Sequence, residues 1–153
     1  MRRFSAIRVF VAAFAVLAAG FTTASAAKPE IYTKRLSDLA VDGYDVVAYF
    51  NEGEPVKGNA AFEREHKGAI WRFSSQANLD AFSSNPAAYA PQYGGYCAWA
   101  AAQGYTARGN PKNWTVHEGK LYLNYSTGVQ RKWEKDIPGF IAKADVNWPG
   151  ILN

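Results

Sequence analysis

Two stretches of alternating apolar and polar residues predict two β-hairpins. Residues 61–73 read "AFEREHKGAIWRF", and the Lys-Gly pair in the middle is typical of a two-residue turn. Strict alternation across that turn places Phe62 opposite Phe73. Residues 114–125, "WTVHEGKLYLNY", predict a second hairpin around their Glu-Gly pair, with Tyr122 on the outer face.

Helix signals follow both hairpins. The Ser-Ser pair before "QANLDAF" can cap one helix, and "YCAWAAAQG" is typical of a short helix that ends at Gly104. Thr127 and Gln130 have the spacing of a capping box for a helix over residues 128–136. The apolar "GYDVVAYF" of residues 43–50 is interpreted as a short strand or extended segment. No internal repeat is evident, and the predicted class is α+β: two β-hairpins forming a small antiparallel sheet packed with several short helices.

The N-terminus has the pattern of a secretory signal peptide. Arg2, Arg3 and Arg8 precede an apolar run over residues 9–21 that is too short to span a bilayer, and small residues ending in Ala-Ser-Ala follow it. We therefore expect a signal peptide over residues 1–26 and a periplasmic or secreted, soluble protein.

Net charge and hydropathy argue against nucleic-acid binding and against a membrane span in the chain that remains after cleavage. The net charge is +4, but the signal arginines supply three of these charges, which leaves about +1, too little for electrostatic binding of nucleic acid. No second apolar run reaches bilayer length, so no membrane span is expected after cleavage. We divide this part into an arm (27–42), one domain (43–148) and a tail (149–153).

Residues 66–89, "HKGAIWRFSSQANLDAFSSNPAAY", resemble the core of the YHS-domain family. Its members commonly carry aromatic-Phe-Cys-Ser-x-x-Cys-x-x-x-Phe, followed by Asn-Pro and a Tyr. "GYDVVAYF" resembles the family's opening Asp-Pro-Val-Cys segment, and "PQYGGYCAWAAAQGYT" with "LYLNY" resembles a longer, exported branch. The matching core positions are Trp71, Phe73, Phe82, Asn85, Pro86 and Tyr89.

The resemblance implies metal binding through three thiols, but this chain departs from it at those positions. They fall on Ala48, Ser74 and Asn78. A methyl, a hydroxyl and an amide do not replace thiolates toward a soft metal. The family's ligand set is therefore not expected here.

Cys97, the only cysteine, is the main candidate for chemistry. It lies among Tyr93, Tyr96 and Trp99, which could line a site for a flat or cationic ligand. Cys97 and His66 are the candidate metal ligands, for which copper or zinc would be the suitable ions. The alternative interpretation is a small buried side chain in an aromatic core.

Three functions remain open on the sequence alone. The leading hypothesis is a small exported binding or accessory domain that takes a metal ion or small ligand and has no evident enzymatic activity, since no catalytic motif is present. The second is a thiol-dependent redox or nucleophilic protein that uses Cys97. The third is a structural module that docks a periplasmic protein.

Overall fold

The structure is a computed structural model that describes residues 26–153. The predicted signal peptide lies outside the described residues except for Ala26. The described part of the chain has four strands, β1 (Asn59–His66), β2 (Ala69–Phe73), β3 (Asn110–His117) and β4 (Lys120–Asn124). The helices are α1 (Ala48–Asn51), α2 (Gln76–Ser84), α3 (Pro86–Tyr89), α4 (Ala98–Ala102), α5 (Thr127–Trp133) and α6 (Ile137–Asn147). Short 3-10 turns are Val41–Gly43, Gln92–Gly95, Glu134–Asp136 and Gly150–Leu152.

The α+β class and both hairpins are confirmed. Strand β1 pairs antiparallel with β2, and β3 pairs antiparallel with β4. Each hairpin forms its own two-stranded sheet, so residues 26–153 contain two small sheets in place of a single one.

A bulge changes the register of the first hairpin. His66 lies opposite Ala69 as predicted, but Asn59 rather than Phe62 lies opposite Phe73. The side chain of Asn59 accepts a hydrogen bond from the N–H of Ala61 at 2.8 Å. Such a local bond bends the backbone out of the ladder, and strict alternation therefore fails at this end of β1.

Local caps correct two further predictions. "GYDVVAYF" is not a strand, because the carboxyl group of Asp45 accepts the N–H of Val47 at 2.9 Å and starts the turn that leads into α1. Ser126, not Thr127, caps α5 by accepting the N–H of Val129 at 3.3 Å. Helix α5 therefore begins one residue earlier than predicted and ends at Trp133.

The chain contains two units of the same topology, although the sequence suggested no repeat. The first unit comprises residues 41–89 and the second unit residues 93–147. Each has a 3-10 turn, a short helix, a bulged hairpin and a following helix. In the first hairpin, Asn59 pairs with Phe73 and His66 pairs with Ala69. In the second hairpin, Asn110 pairs with Asn124 and His117 pairs with Lys120. In both hairpins the bulge lies between these two pairs, next to the asparagine.

Side-chain details repeat as well. The cap of α2 is Ser75 and the cap of α5 is Ser126, each bonded to the third residue along. Ring centroids lie 4.9 Å apart for Trp71 and Phe82, and 5.1 Å apart for Tyr122 and Trp133. The sequence itself carries a signal of this repeat. In the first unit "GYDVVAYF" is followed by "GNAAFEREHKG", and in the second unit "GYCAWAAA" is followed by "GNPKNWTVHEG".

Strand β4 lies between two hydrophobic cores. Leu121 and Leu123 pack into the core that contains Trp71 and Phe82. Tyr122, predicted to face outward, is 3% exposed and packs against Trp133 in the second core. The prediction was wrong because the helices of the second unit cover the face that strand alternation assigns to solvent.

Among the described residues, no helix is both long enough and apolar enough to cross a membrane.

Candidate functional site

A buried carboxyl group organises the first unit. Asp45 is fully buried, and its Oδ1 accepts the N–H groups of Val47 and Ala48 at 2.9 and 3.3 Å. Its Oδ2 accepts the N–H and the Oγ–H of Ser74 at 2.8 and 2.7 Å, and the Nδ2–H of Asn78 at 2.8 Å. Five donors thus converge on one side chain, which satisfies the requirement that a buried polar group be hydrogen-bonded. No local sequence signal distinguishes Asp45 from a surface carboxylate, because its side-chain donors come from residues 29 and 33 positions away.

This network fills the positions where the family resemblance implies thiols. Ala48, Ser74 and Asn78 do meet at one place, as the resemblance requires. The polar groups of Ser74 and Asn78 there are already used by Asp45, and Ala48 contributes a methyl group and its backbone N–H. These residues do not fit a soft metal ion, because none supplies a free thiolate or imidazole.

Cys97 occupies the same place in the second unit. Asp45 and Cys97 each follow a Gly-Tyr pair, and their N–H groups donate to the carbonyl groups of Val56 and Ala107 at 2.8 and 2.9 Å. The tyrosines preceding them form equivalent isolated bridges with Lys57 and Arg108.

The donors around the two side chains also correspond. Backbone N–H groups of Trp99, Ala100 and Tyr125 lie near the Sγ of Cys97, at the positions from which those of Val47, Ala48 and Ser74 donate to Asp45. The N–H of Trp99 donates to the Oδ1 of Asn124 at 3.2 Å. The thiol donates to the Oδ1 of Asn124, with the sulfur 3.6 Å from that oxygen. Burial raises the pKa of the Cys97 thiol, and the three N–H groups act in the opposite direction.

A small cavity, the thiol cavity, opens beside Cys97. It has a volume of about 190 Å³. Its walls are Cys97, Trp99, Ala100, Tyr105, Ala107, Tyr125 and Val129. The side-chain donors that complete the Asp45 network have no counterpart here, because Tyr125 and Val129 stand in the places of Ser74 and Asn78.

A larger depression, the inter-unit cleft, lies between the two units and has a volume of about 550 Å³. His66, Lys67 and Lys120 line it together with Tyr93 and Trp148. Burial, with a smaller effect from Lys67, lowers the pKa of the His66 imidazole.

The aromatic residues of the predicted site are divided between these places. Tyr93 lines the inter-unit cleft and donates its hydroxyl to Asp145 at 2.8 Å, while Trp99 lines the thiol cavity. Tyr96 lines neither cavity, and its hydroxyl donates to the carbonyl of Pro29 at 2.9 Å.

The two candidate metal ligands line different cavities, Cys97 the thiol cavity and His66 the inter-unit cleft. Across residues 26–153, no three or more histidine, cysteine, aspartate or glutamate side chains form a group that could hold a metal ion.

The comparison with known protein families gives a match that covers most of the first unit. The family model of the YHS domain matches residues 47–93. The chain contains a YHS domain. Neither a curated protein nor a solved structure matches the chain. The YHS match runs from just before α1 to the first residue of the second unit, and the rest of the second unit, with Cys97, lies beyond it.

Proposed function

We propose that this YHS protein is an exported, non-enzymatic binding or accessory domain that takes a small organic anion in the inter-unit cleft. The proposal rests on the side chains that line that cleft. Basic groups, aromatic rings and apolar side chains meet in one concave space, which is the usual composition of a small-ligand site.

The charges of the cleft favour an anion. Lys67 donates to the carboxylate of Glu30 at 2.5 Å, so these two charges compensate each other. Lys120 forms no ion pair within residues 26–153. One cationic group is therefore left to attract a single negative charge.

The other walls favour a ligand with an apolar body. Ile31, Pro86, Ala90 and Trp148 line the cleft and offer surface for a ring or short chain. His66 adds a polar group at one side, and its lowered pKa favours the neutral imidazole, which can both donate and accept a hydrogen bond. A metal role is not part of the proposal, since the residues at the family's thiol positions are engaged by Asp45.

Isothermal titration calorimetry with benzoate, and with benzamide as its neutral analogue, tests this proposal. We expect benzoate to bind more tightly than benzamide. Lys120→Gln should weaken benzoate binding about two- to fivefold, the effect of one exposed ion pair of roughly 0.5–1 kcal/mol. Lys112→Gln is the matched control, because Lys112 is exposed on β3 and does not line the cleft. Equal binding of both probes, or no effect of Lys120→Gln, would contradict the proposal.

Export is tested separately by the mass of the protein recovered outside the cytoplasm. Cleavage after residue 26 gives a chain that begins at Ala27. Recovery of the uncleaved chain from the cytoplasm alone would contradict the exported role without affecting the cleft.

A further inference from the structure

The thiol cavity takes the place that a polar network occupies in the first unit. There, the side chains of Ser74 and Asn78 donate to the carboxylate of Asp45 at 2.7 and 2.8 Å. In the second unit Tyr125 and Val129 stand at these two positions, and both line a space of about 190 Å³. The same backbone frame therefore encloses hydrogen bonds in one unit and a cavity with largely apolar walls in the other.

Three aromatic rings form much of the wall of this cavity, those of Trp99, Tyr105 and Tyr125. The rings of Trp99 and Tyr105 lie nearly perpendicular, at 83°, with their centroids 6.4 Å apart. Tyr105 and Tyr125 are 49% and 43% exposed, and they are two of the five large apolar side chains that are exposed within residues 26–153. A ligand that covers this ring surface removes apolar area from water, which favours binding.

The charges around the cavity favour an uncharged ligand. The guanidinium of Arg108 lies 4.7 Å from the ring centroid of Tyr125, and the Nζ of Lys132 lies 5.6 Å from that of Trp99. Neither cation lines the cavity, but both already use the attraction of these rings for positive charge and would repel a second cation. The wall residues include no charged side chain, so an ion would lose its water without gaining a partner.

We propose that the thiol cavity binds a small uncharged molecule that contains a single aromatic ring. Its size supports this class, because an apolar cavity of about 150 Å³ holds one benzene molecule, and this one has room for a ring with a small substituent. Cys97 contributes to the wall as a small side chain and needs no reactivity for this role. The site is separate from the inter-unit cleft and does not depend on the function proposed for that cleft.

Nuclear magnetic resonance of the tryptophan indole N–H groups, in the folded full chain, tests the proposal with benzyl alcohol and benzylammonium. The two probes have nearly the same shape, but only the second carries a positive charge. Trp99 lines the thiol cavity and Trp148 lines the inter-unit cleft, so their signals report the two places separately. We expect benzyl alcohol to shift the Trp99 signal and to bind at least about tenfold more tightly than benzylammonium. A shift of the Trp148 signal alone, or equal binding of the two probes, would overturn the proposal.

A variant that fills the cavity gives a second test. Val129→Phe adds a ring to the wall and should weaken the binding of benzyl alcohol at least about tenfold. Val116→Phe is the matched control, because Val116 is 37% exposed on β3 and does not line the cavity. Unchanged binding to folded Val129→Phe would contradict the assignment.

Tyr105→Ala tests the same wall without adding volume to the protein. Because half of this side chain is exposed, its removal should leave the fold intact. We expect benzyl alcohol to bind about threefold more weakly, since one aromatic wall is lost. Undiminished binding to Tyr105→Ala would show that the three rings do not form the site.

Discussion

The two units of this protein build the same turn around different side chains. In the first unit, Asp45 is enclosed by five hydrogen bonds. In the second unit, Cys97 lies near the equivalent backbone N–H groups, donates its thiol to the Oδ1 of Asn124 and lines a cavity. The comparison teaches that the same turn accommodates two different short side chains, while the neighbouring residues decide whether that side chain is enclosed by hydrogen bonds or lines a cavity.

The aromatic pair behind each hairpin provides the strongest test of this equivalence. Phe82 and Trp133 are both fully buried and stack on Trp71 and Tyr122. Phe82→Ala and Trp133→Ala should each lower the free energy of unfolding by about 3–5 kcal/mol, because each leaves a cavity in a core. Urea denaturation measures both losses.

Val146→Ala is the control for that pair, since Val146 is 85% exposed and should change little. A loss below about 1 kcal/mol in only one of the two ring variants would break the equivalence of the units.

The Asp45 network gives the next largest expected effect. Asp45→Asn replaces one acceptor oxygen with an NH₂ group that faces the N–H of Ser74 or Asn78. We expect a loss of about 3 kcal/mol in unfolding free energy, because buried donors lose their acceptor. Asp38→Asn is the matched exposed substitution and should be nearly neutral. Similar stability of the two variants would mean that the first unit does not depend on its carboxyl group.

A tyrosine that joins the units gives the smallest effect. Tyr49 of α1 donates its hydroxyl to the carbonyl of Pro111 in β3 at 2.7 Å. Tyr49→Phe should cost about 1 kcal/mol at neutral pH, the contribution of one hydrogen bond. Thermal unfolding of the variant measures this loss.

The same substitution has a predictable pH dependence. Burial raises the pKa of Tyr49 above its ordinary value of about 10. The folded state therefore holds this proton more strongly than the unfolded state, and the stability it contributes is present below pH 10 and lost as the pH rises further. Tyr49→Phe should lose less stability between pH 9 and pH 11 than the unchanged protein, whereas Tyr105→Phe, with a half-exposed ring, should follow the unchanged protein. An identical alkaline loss in all three proteins would contradict this assignment.

Local sequence signals predicted much of the fold but little of the candidate site. Both hairpin turns, the cap of α2 and the YHS resemblance were correct because they depend on neighbouring residues. The bulge at Asn59 and the burial of Tyr122 were missed, since the first is a side-chain bond to the backbone and the second depends on helices distant in the chain. The repeat was missed because equivalent positions of the two units carry chemically different side chains although their backbones agree. Asp45 corresponds to Cys97, and Asn78 corresponds to Val129.

By itself, the sequence determined the α+β class, the two turns, the missing family thiols and the single thiol amid aromatic residues. Turn type, capping and composition are properties of adjacent positions, and they can be read without knowing what packs where. Only the tertiary structure decided that His66 and Cys97 line different cavities and that Asp45 and Cys97 are equivalent. The hydrogen bond between Asp45 and Asn78 forms only after hairpin and helix have packed together, and so does the contact between Cys97 and Asn124. No local sequence pattern encodes that arrangement.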